Sequence, residues 1–299
     1  MKVFVTGASG YIGSAVVREL LGAGHQVTGL ARSDKSAAAL TAAGAAVLRG
    51  ELDDLDSLRA GASIADGVIH LAFTNISPTT DFAAASQADL RAVEAIGAEL
   101  AGSGKPFVVT SGTLMLAGLA HLATEDDVSD PARPRGASDE ATIALAKRGV
   151  RSALVRLAPS VHGEDDLHGF VPSLIGIARA KGVSAYVGDG SNRWPAVYRL
   201  DAARLYRLAL ESAPAGSRLH GAGEQGVPFK EIAEAIGRHL KLPVVSVAAG
   251  QAGAHFGFLA GMVPLDNPTS SALSQERLGW KPEGPTLMAD IEEGFYFNC

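Results

Sequence analysis

The chain has 299 residues, 47% of them apolar and 19% charged, with a formal net charge of −6. That is room for one large α/β domain with a smaller cap and enough apolar surface for a buried core, which excludes a disordered chain. The acidic balance excludes a protein that grips nucleic acid through a basic surface. A lone cysteine, Cys299, excludes an internal disulfide framework and any multi-cysteine metal site.

Taken in chain order, Val3-Phe4-Val5 forms a first strand that stops at Thr6-Gly7. The run is too short for the apolar region of a signal peptide, so a cytoplasmic protein is expected. Ile12, Ala15, Val16, Glu19 and Leu20 keep a helical period up to the breakers Gly22 and Gly24. Strands are predicted at 27–30, 47–48, 67–71, 107–110 and 152–157. Helices are predicted up to about residue 43, over 82–100 and over 139–147. This alternation implies an α/β fold, a Rossmann-like doubly wound parallel sheet with right-handed crossovers. Beyond about Ser160 the pattern becomes irregular, with helices near 202–210 and 229–240.

Residues 242–265 carry no charge, and Gly253, Gly257 and Gly261 fall at four-residue spacing, like a membrane-helix seam. Pro243, Ser246, Gln251, His255 and Pro264 interrupt that window. It therefore reads as a buried strand at 244–247 followed by a small-residue helix, with no membrane partner.

Thr6-Gly7-Ala8-Ser9-Gly10-Tyr11-Ile12-Gly13 joins the first strand to the first helix. The first glycine permits a tight turn, the second lets backbone approach a pyrophosphate, and the third lets helix and strand pack closely. On the first βα turn of the chain, this pattern points to a dinucleotide. Residues 1–160 are expected to form the dinucleotide-binding domain. Residues 161–299 are expected to be mostly a substrate-binding lobe, with some elements returning to the sheet.

The glycine spacing resembles that of the extended short-chain dehydrogenase/reductases, the epimerase/dehydratase type. The resemblance continues through Asp53, His70-Leu71-Ala72, Ser111 and Arg156-Leu157-Ala158-Pro159. It extends to Gly188-Asp189-Gly190 with Arg193, Val197 and Asp201, and to Leu278-Gly279-Trp280-Lys281-Pro282. It implies that Leu52 and Asp53 line the adenine, that Leu71 and Ala72 line the ribose-phosphate side, and that Pro159, Val161 and His162 approach the nicotinamide. It also implies a homodimer formed through helices on the sheet face. At the end of the second strand a carboxylate would favour NAD, whereas an arginine accommodates the 2′-phosphate of NADP. The chain reads Arg32-Ser33-Asp34 there. Arg32, with Ser33 as a second donor, therefore favours NADP(H) over NAD(H), and Asp34 is the competing ribose acceptor.

The family's proton chemistry uses Tyr-x-x-x-Lys with a serine or threonine. None of the five tyrosines has a lysine four residues later. The usual tyrosine place falls near 131–133, and Arg133 or Arg135 stands near the lysine place as a possible ribose or phosphate anchor. Ser111 and Thr113 remain as hydroxyls that polarise an acceptor, and His162 and Tyr198 as proton donors. Arg193 can bind an anionic substrate group or pair with Asp189 or Asp201. The acidic run from His162 to His168 matches no metal-ligand spacing, so a substrate loop is expected and no metal. These residues favour an NADP(H)-dependent oxidoreductase that transfers hydride to a carbonyl or imine-type group of a small organic substrate. A nucleotide-sugar epimerase or dehydratase, and a non-catalytic NADP(H)-binding sensor, are the alternatives.

Overall fold

The computed structural model describes residues 1–74 and 76–298, so Cys299 lies outside the described residues. The first half runs β1 (Lys2–Thr6), α1 (Tyr11–Gly22), β2 (Gln26–Ala31), α2 (Asp34–Ala42), β3 (Ala46–Arg49), α3 (Leu55–Ile64), β4 (Gly67–His70), α4 (Phe82–Glu99), β5 (Pro106–Gly112), α5 (Gly136–Ala144) and β6 (Arg151–Leu157). The second half runs β7 (Ser160–His162), α6 (Phe170–Lys181), β8 (Ser184–Val187), β9 (Arg193–Tyr198), α7 (Arg199–Ser212), β10 (Ser217–Gly221), β11 (Glu224–Pro228), α8 (Phe229–Leu240), β12 (Val244–Val247), α9 (Ala252–Phe256), α10 (Ala272–Leu278) and α11 (Leu287–Glu293).

Seven parallel strands form the main sheet in the order β10-β6-β5-β4-β1-β2-β3. The expected α/β architecture is therefore what forms. β1, β4, β5 and β6 are buried on both faces, which is why they read as unbroken apolar runs rather than alternations. One face packs on α1 and α7 through Val5, Val16, Leu20, Leu205 and Tyr206. The other packs on α3 and α4 through Phe4, Leu58, Val93 and Ile96. The chain changes direction of winding between β1 and β4, and open sheets of this kind bind ligands at that switch point.

Helix α3 escapes the sequence reading, although Asp54 caps it by accepting from Ser57 N and Leu58 and Ala62 face the core. The predicted 139–147 helix begins earlier, at Gly136, and passes into a tighter 3-10 turn over Leu145–Arg148. β10 comes from the irregular half and completes the sheet beside β6. The second lobe holds two small sheets, β11-β9-β7 and β12-β8, around a core that includes Trp194, Phe229 and Phe256. The strand at 244–247 forms, but as an edge strand with only Val247 buried. Among the described residues no helix is long and apolar enough to cross a membrane.

Beneath the C-terminal end of β6 lies a fully buried arginine. Arg156 donates to Asp127 O at 2.9 Å and to Ser129 Oγ at 3.0 Å, and its Nε lies 3.4 Å from Asp139 Oδ2. Burying this pair is costly, but removing one partner strands the other charge. Arg156→Leu is therefore expected to lower unfolding free energy by about 3–5 kcal/mol in urea titration. Adding Asp139→Asn should restore part of the loss, whereas strict additivity would show that the two side chains do not interact.

Candidate dinucleotide and proton-transfer site

The turn after β1 is shaped by contacts that no side chain tolerates. Gly7 has φ of +67°, and a Cβ there would lie 2.7 Å from Ala72 N. A Cβ on Gly13 would lie 2.0 Å from the carbonyl oxygen of Gly7. Gly10 caps α1 without any side-chain hydrogen bond, so the first-turn amides of Tyr11, Ile12 and Gly13 keep the helix's unsatisfied positive end. Thr6 Oγ1 shares a 2.8 Å hydrogen bond with His70 Nδ1 and accepts from Ala72 N, tying this loop to the one after β4. Gly7, Ser9, Gly10, Tyr11, Ile12, Gly13, Leu71 and Ala72 thus meet at one edge. A cradle that only glycine can line, backed by a bare helix start, fits a pyrophosphate.

At the adenosine end, Arg32 is exposed just past β2 and has no ion-pair partner among the described residues. Its expected helper is otherwise engaged: Ser33 Oγ caps α2 by accepting from Ser36 N and donates to Ser36 Oγ. The competing acid is engaged too, since Asp34 pairs with Arg49. Asp53 pairs with Arg91 at 3.1 Å, and Leu52 packs against the core on the α3 side.

Neither arginine near the lysine place is turned outward as an anchor. The guanidinium of Arg133 donates to the carbonyls of Leu114 and Ala117. Arg135 donates to Asp89 and Thr110 O and lies 4.3 Å over the ring of Phe73. Burial alone would raise the Asp89 carboxyl, but Arg135 and His70 together hold it below the usual carboxylate range.

The two hydroxyls after β5 have different fates. Thr113 Oγ1 donates to Asn267 Oδ1 at 2.8 Å and its carbonyl accepts from Asn267 Nδ2 at 3.0 Å, so it locks the lobes together. Ser111 Oγ is buried without a hydrogen-bond partner among the described residues.

Pro159 and Val161 are half-buried beside the end of β6, and His162 is fully buried. His162 Nδ1 donates to Asp290 Oδ2 at 2.6 Å, while its Nε2 has no hydrogen-bond partner among the described residues and lies 4.0 Å from Glu224 Oε2. Its ring meets that of Tyr198 at 5.9 Å. Tyr198 is half-buried, and its hydroxyl makes no hydrogen bond among the described residues. Burial, with Asp290 and Glu164 nearby, raises its pKa and keeps the phenol protonated. The next residue links this cluster to the glycine loop: a Cβ on Gly163 would touch both Tyr11 Oη and Tyr198 Cε2 at 3.2 Å. Gly163 N donates to Tyr296 Oη, and Arg199 stacks 4.4 Å over Tyr11 while bonding Ser14 Oγ and Glu164 O.

Arg193 pairs with neither Asp189 nor Asp201. Asp189 accepts from Ser191, Asp201 pairs with Arg204, and Arg193 forms a two-point pair with Asp266. Asp166, in the acidic run, accepts from Gly169 N at the start of α6. Among the described residues no group of three His, Cys, Asp or Glu side chains is placed to hold a metal. The sequence missed Asp290, Tyr296, Asn267 and Asp266. Their partners lie 73 to 154 residues away, with no spacing signal to join them.

Residues 3–220 match the model of the NAD dependent epimerase/dehydratase family. The chain is 50% identical over 298 residues to an uncharacterized protein of Schizosaccharomyces pombe, covering 99% of this chain and all of the other. It is 30% identical over 237 residues to the 2-alkyl-3-oxoalkanoate reductase of Stenotrophomonas maltophilia, covering 74% and 68% of the two chains. The fold resembles that of dTDP-glucose 4,6-dehydratase from Streptomyces venezuelae, with TM-score 0.78, 19% identity and coverage of 99% and 97%.

Burial pushes the Asp166 carboxyl up to about 6, against the pull of the Gly169 and His168 amides. A raised carboxyl stabilises the fold below its unfolded pKa, and that contribution is lost as pH rises through about 6. Between pH 4 and pH 7.5, wild type should lose about 2 kcal/mol relative to Asp166→Asn, which keeps the backbone acceptor. Parallel stability curves for the two proteins would show that this carboxyl titrates normally.

Proposed function

The chain belongs to the NAD dependent epimerase/dehydratase family, and from that premise we propose that it is an NADPH-dependent reductase of a carbonyl or imine-type group in a small organic molecule. The observation that carries this reading is Tyr198, whose protonated phenol has no hydrogen-bond partner among the described residues and lies against the imidazole of His162. Asp290 fixes the tautomer by accepting from Nδ1, leaving Nε2 as an acceptor beside the phenol ring.

Bound nicotinamide supplies the hydride in such chemistry. The chain's own part is to hold the cofactor and deliver the proton. Gly7, Gly10 and Gly13 bring backbone close enough for the pyrophosphate, with the start of α1 supplying amides and positive dipole. Arg32 would hold the 2′-phosphate of NADP, while the competing ribose acceptor, Asp34, pairs with Arg49. Tyr198 gives its proton to the acceptor oxygen or nitrogen and, being half-buried, takes a new one from solvent, while the His162 ring packs against it. Ser111 is the hydroxyl left to polarise the acceptor, because Thr113 is held by Asn267. The 2-alkyl-3-oxoalkanoate reductase among the relatives supports ketone reduction as the reaction class.

Loss of NADPH absorbance over a panel of ketones, aldehydes and imines tests this reading. Substrate-dependent oxidation is expected with NADPH over NADH. Arg32→Asp should weaken NADPH at least about tenfold while leaving NADH nearly unchanged, because it removes a charge-assisted contact to the extra phosphate. Equal weakening of both cofactors, or no oxidation across the panel, would sink the assignment. Tyr198→Phe should lower turnover about 100-fold with NADPH affinity unchanged, the scale of a lost general acid. Unaltered turnover in that variant would remove Tyr198 from the chemistry.

A further inference from the structure

We propose that Asp266 sets the substrate class: by holding the guanidinium of Arg193 it closes the anion site of the second lobe, so that the cleft takes an uncharged, largely apolar acceptor rather than a nucleoside diphosphate derivative. The choice of a carbonyl acceptor rests on the reductase reading above, whereas the closure of the anion site does not.

Arg193 opens β9, and its Nε and Nη2 donate to Asp266 Oδ1 and Oδ2 at 3.0 and 2.7 Å, a parallel two-point grip. The same Oδ1 accepts the backbone N–H of Arg193 at 2.7 Å. Both side chains are close to half exposed, 46% and 44%, so the pair's strength is modest and does not by itself keep an anion out. What excludes the anion is the fixed position of the carboxylate. Asp266 O accepts from Gly118 N, Asn267 N donates to Arg193 O, and the Asn267 side chain is doubly bonded to Thr113. One residue before Arg193, Asn192 donates to the carbonyls of Val263 and Leu265. The 263–267 segment is thus fastened on both sides, which keeps the Asp266 backbone, and with it the carboxylate, beside Arg193. A phosphate that displaced it from the guanidinium would still meet its negative charge at close range. The hydrogen bonds from Arg193 also hold the Asp266 carboxyl below its usual range, so it stays ionised.

No other arginine bordering this edge replaces the lost anchor. Arg133 and Arg135 face backbone carbonyls and Asp89, and Arg199 is stacked on Tyr11 and bonded to Glu164 O. Beside the pair, Leu119 and Leu122 lie exposed in the loop after β5, whose backbone is tied to Asp266 and Pro268. Such side chains favour an acceptor that removes apolar surface from water.

The test uses the full chain saturated with NADP. Calorimetric titration with UDP should give no binding to wild type at millimolar nucleotide. Asp266→Asn, which keeps an acceptor for the Arg193 backbone N–H, should raise UDP affinity at least about tenfold. Asp266→Asn combined with Arg193→Gln should lose that gain. Micromolar UDP binding by wild type, or unchanged affinity in Asp266→Asn with an unaltered melting temperature, overturns the proposal. In the activity arm, a neutral 3-oxoalkanoate ester should be reduced in preference to the free acid, and Asp266→Asn should narrow that preference. A wild type that prefers the free acid also overturns it. If nothing oxidises NADPH, the reductase reading fails, while the UDP titrations still decide the role of Asp266.

Discussion

The site is laid out from the tight approach of Gly13 on α1 to the carbonyl of Gly7. A Cβ at position 13 would stand 2.0 Å from that oxygen, so the helix can lie this near the end of β1 only without a side chain. The approach sets where Tyr11 stands at the first position of α1. Tyr11 in turn meets two later elements: Arg199 of α7 lies over its ring and Gly163, after β7, beside its hydroxyl. The glycine turn and the Tyr198–His162 cluster are therefore joined through Tyr11, alongside the Thr113–Asn267 bonds that tie the lobes together.

Polar groups at this junction are not all satisfied. In the network under β6, where Arg156, Ser129 and Asp139 bond one another, one carboxylate oxygen, Asp139 Oδ1, is likewise unpaired among the described residues. At the junction, Tyr11 Oη, Ser160 Oγ and His162 Nε2 are buried without hydrogen-bond partners among the described residues. Burial raises the pKa of both Tyr11 and Tyr296, with Asp166 adding to the effect, so both phenols remain protonated. Buried donors and acceptors left without partners are costly, and folds keep them where a ligand or a reaction makes use of them.

The arginines show how the same residue type takes opposite parts in one molecule. Arg32 stands exposed just past β2, free of ion pairs among the described residues. Arg133, Arg135 and Arg193 face internal acceptors and hold loops. A guanidinium with five fixed donors does either task equally well, and the acceptor brought within reach decides which.

The sequence by itself determined six of the seven strands of the main sheet and the glycine loop, because both depend on near neighbours. The unbroken apolar runs of β1, β4, β5 and β6 require burial on both faces, and Gly7, Gly10 and Gly13 lie within one turn. It also showed that no tyrosine has a lysine four residues on, a fact of spacing. The assignment of Arg193, Thr113 and the 133–135 arginines was decided by the tertiary structure alone. Their partners Asp266, Asn267 and Asp89 come from distant segments, and the hydrogen bonds that hold them have no periodicity along the chain. The same holds for Asp290 behind His162, 128 residues away: a carboxylate orients an imidazole only once folding has brought the two within 2.6 Å.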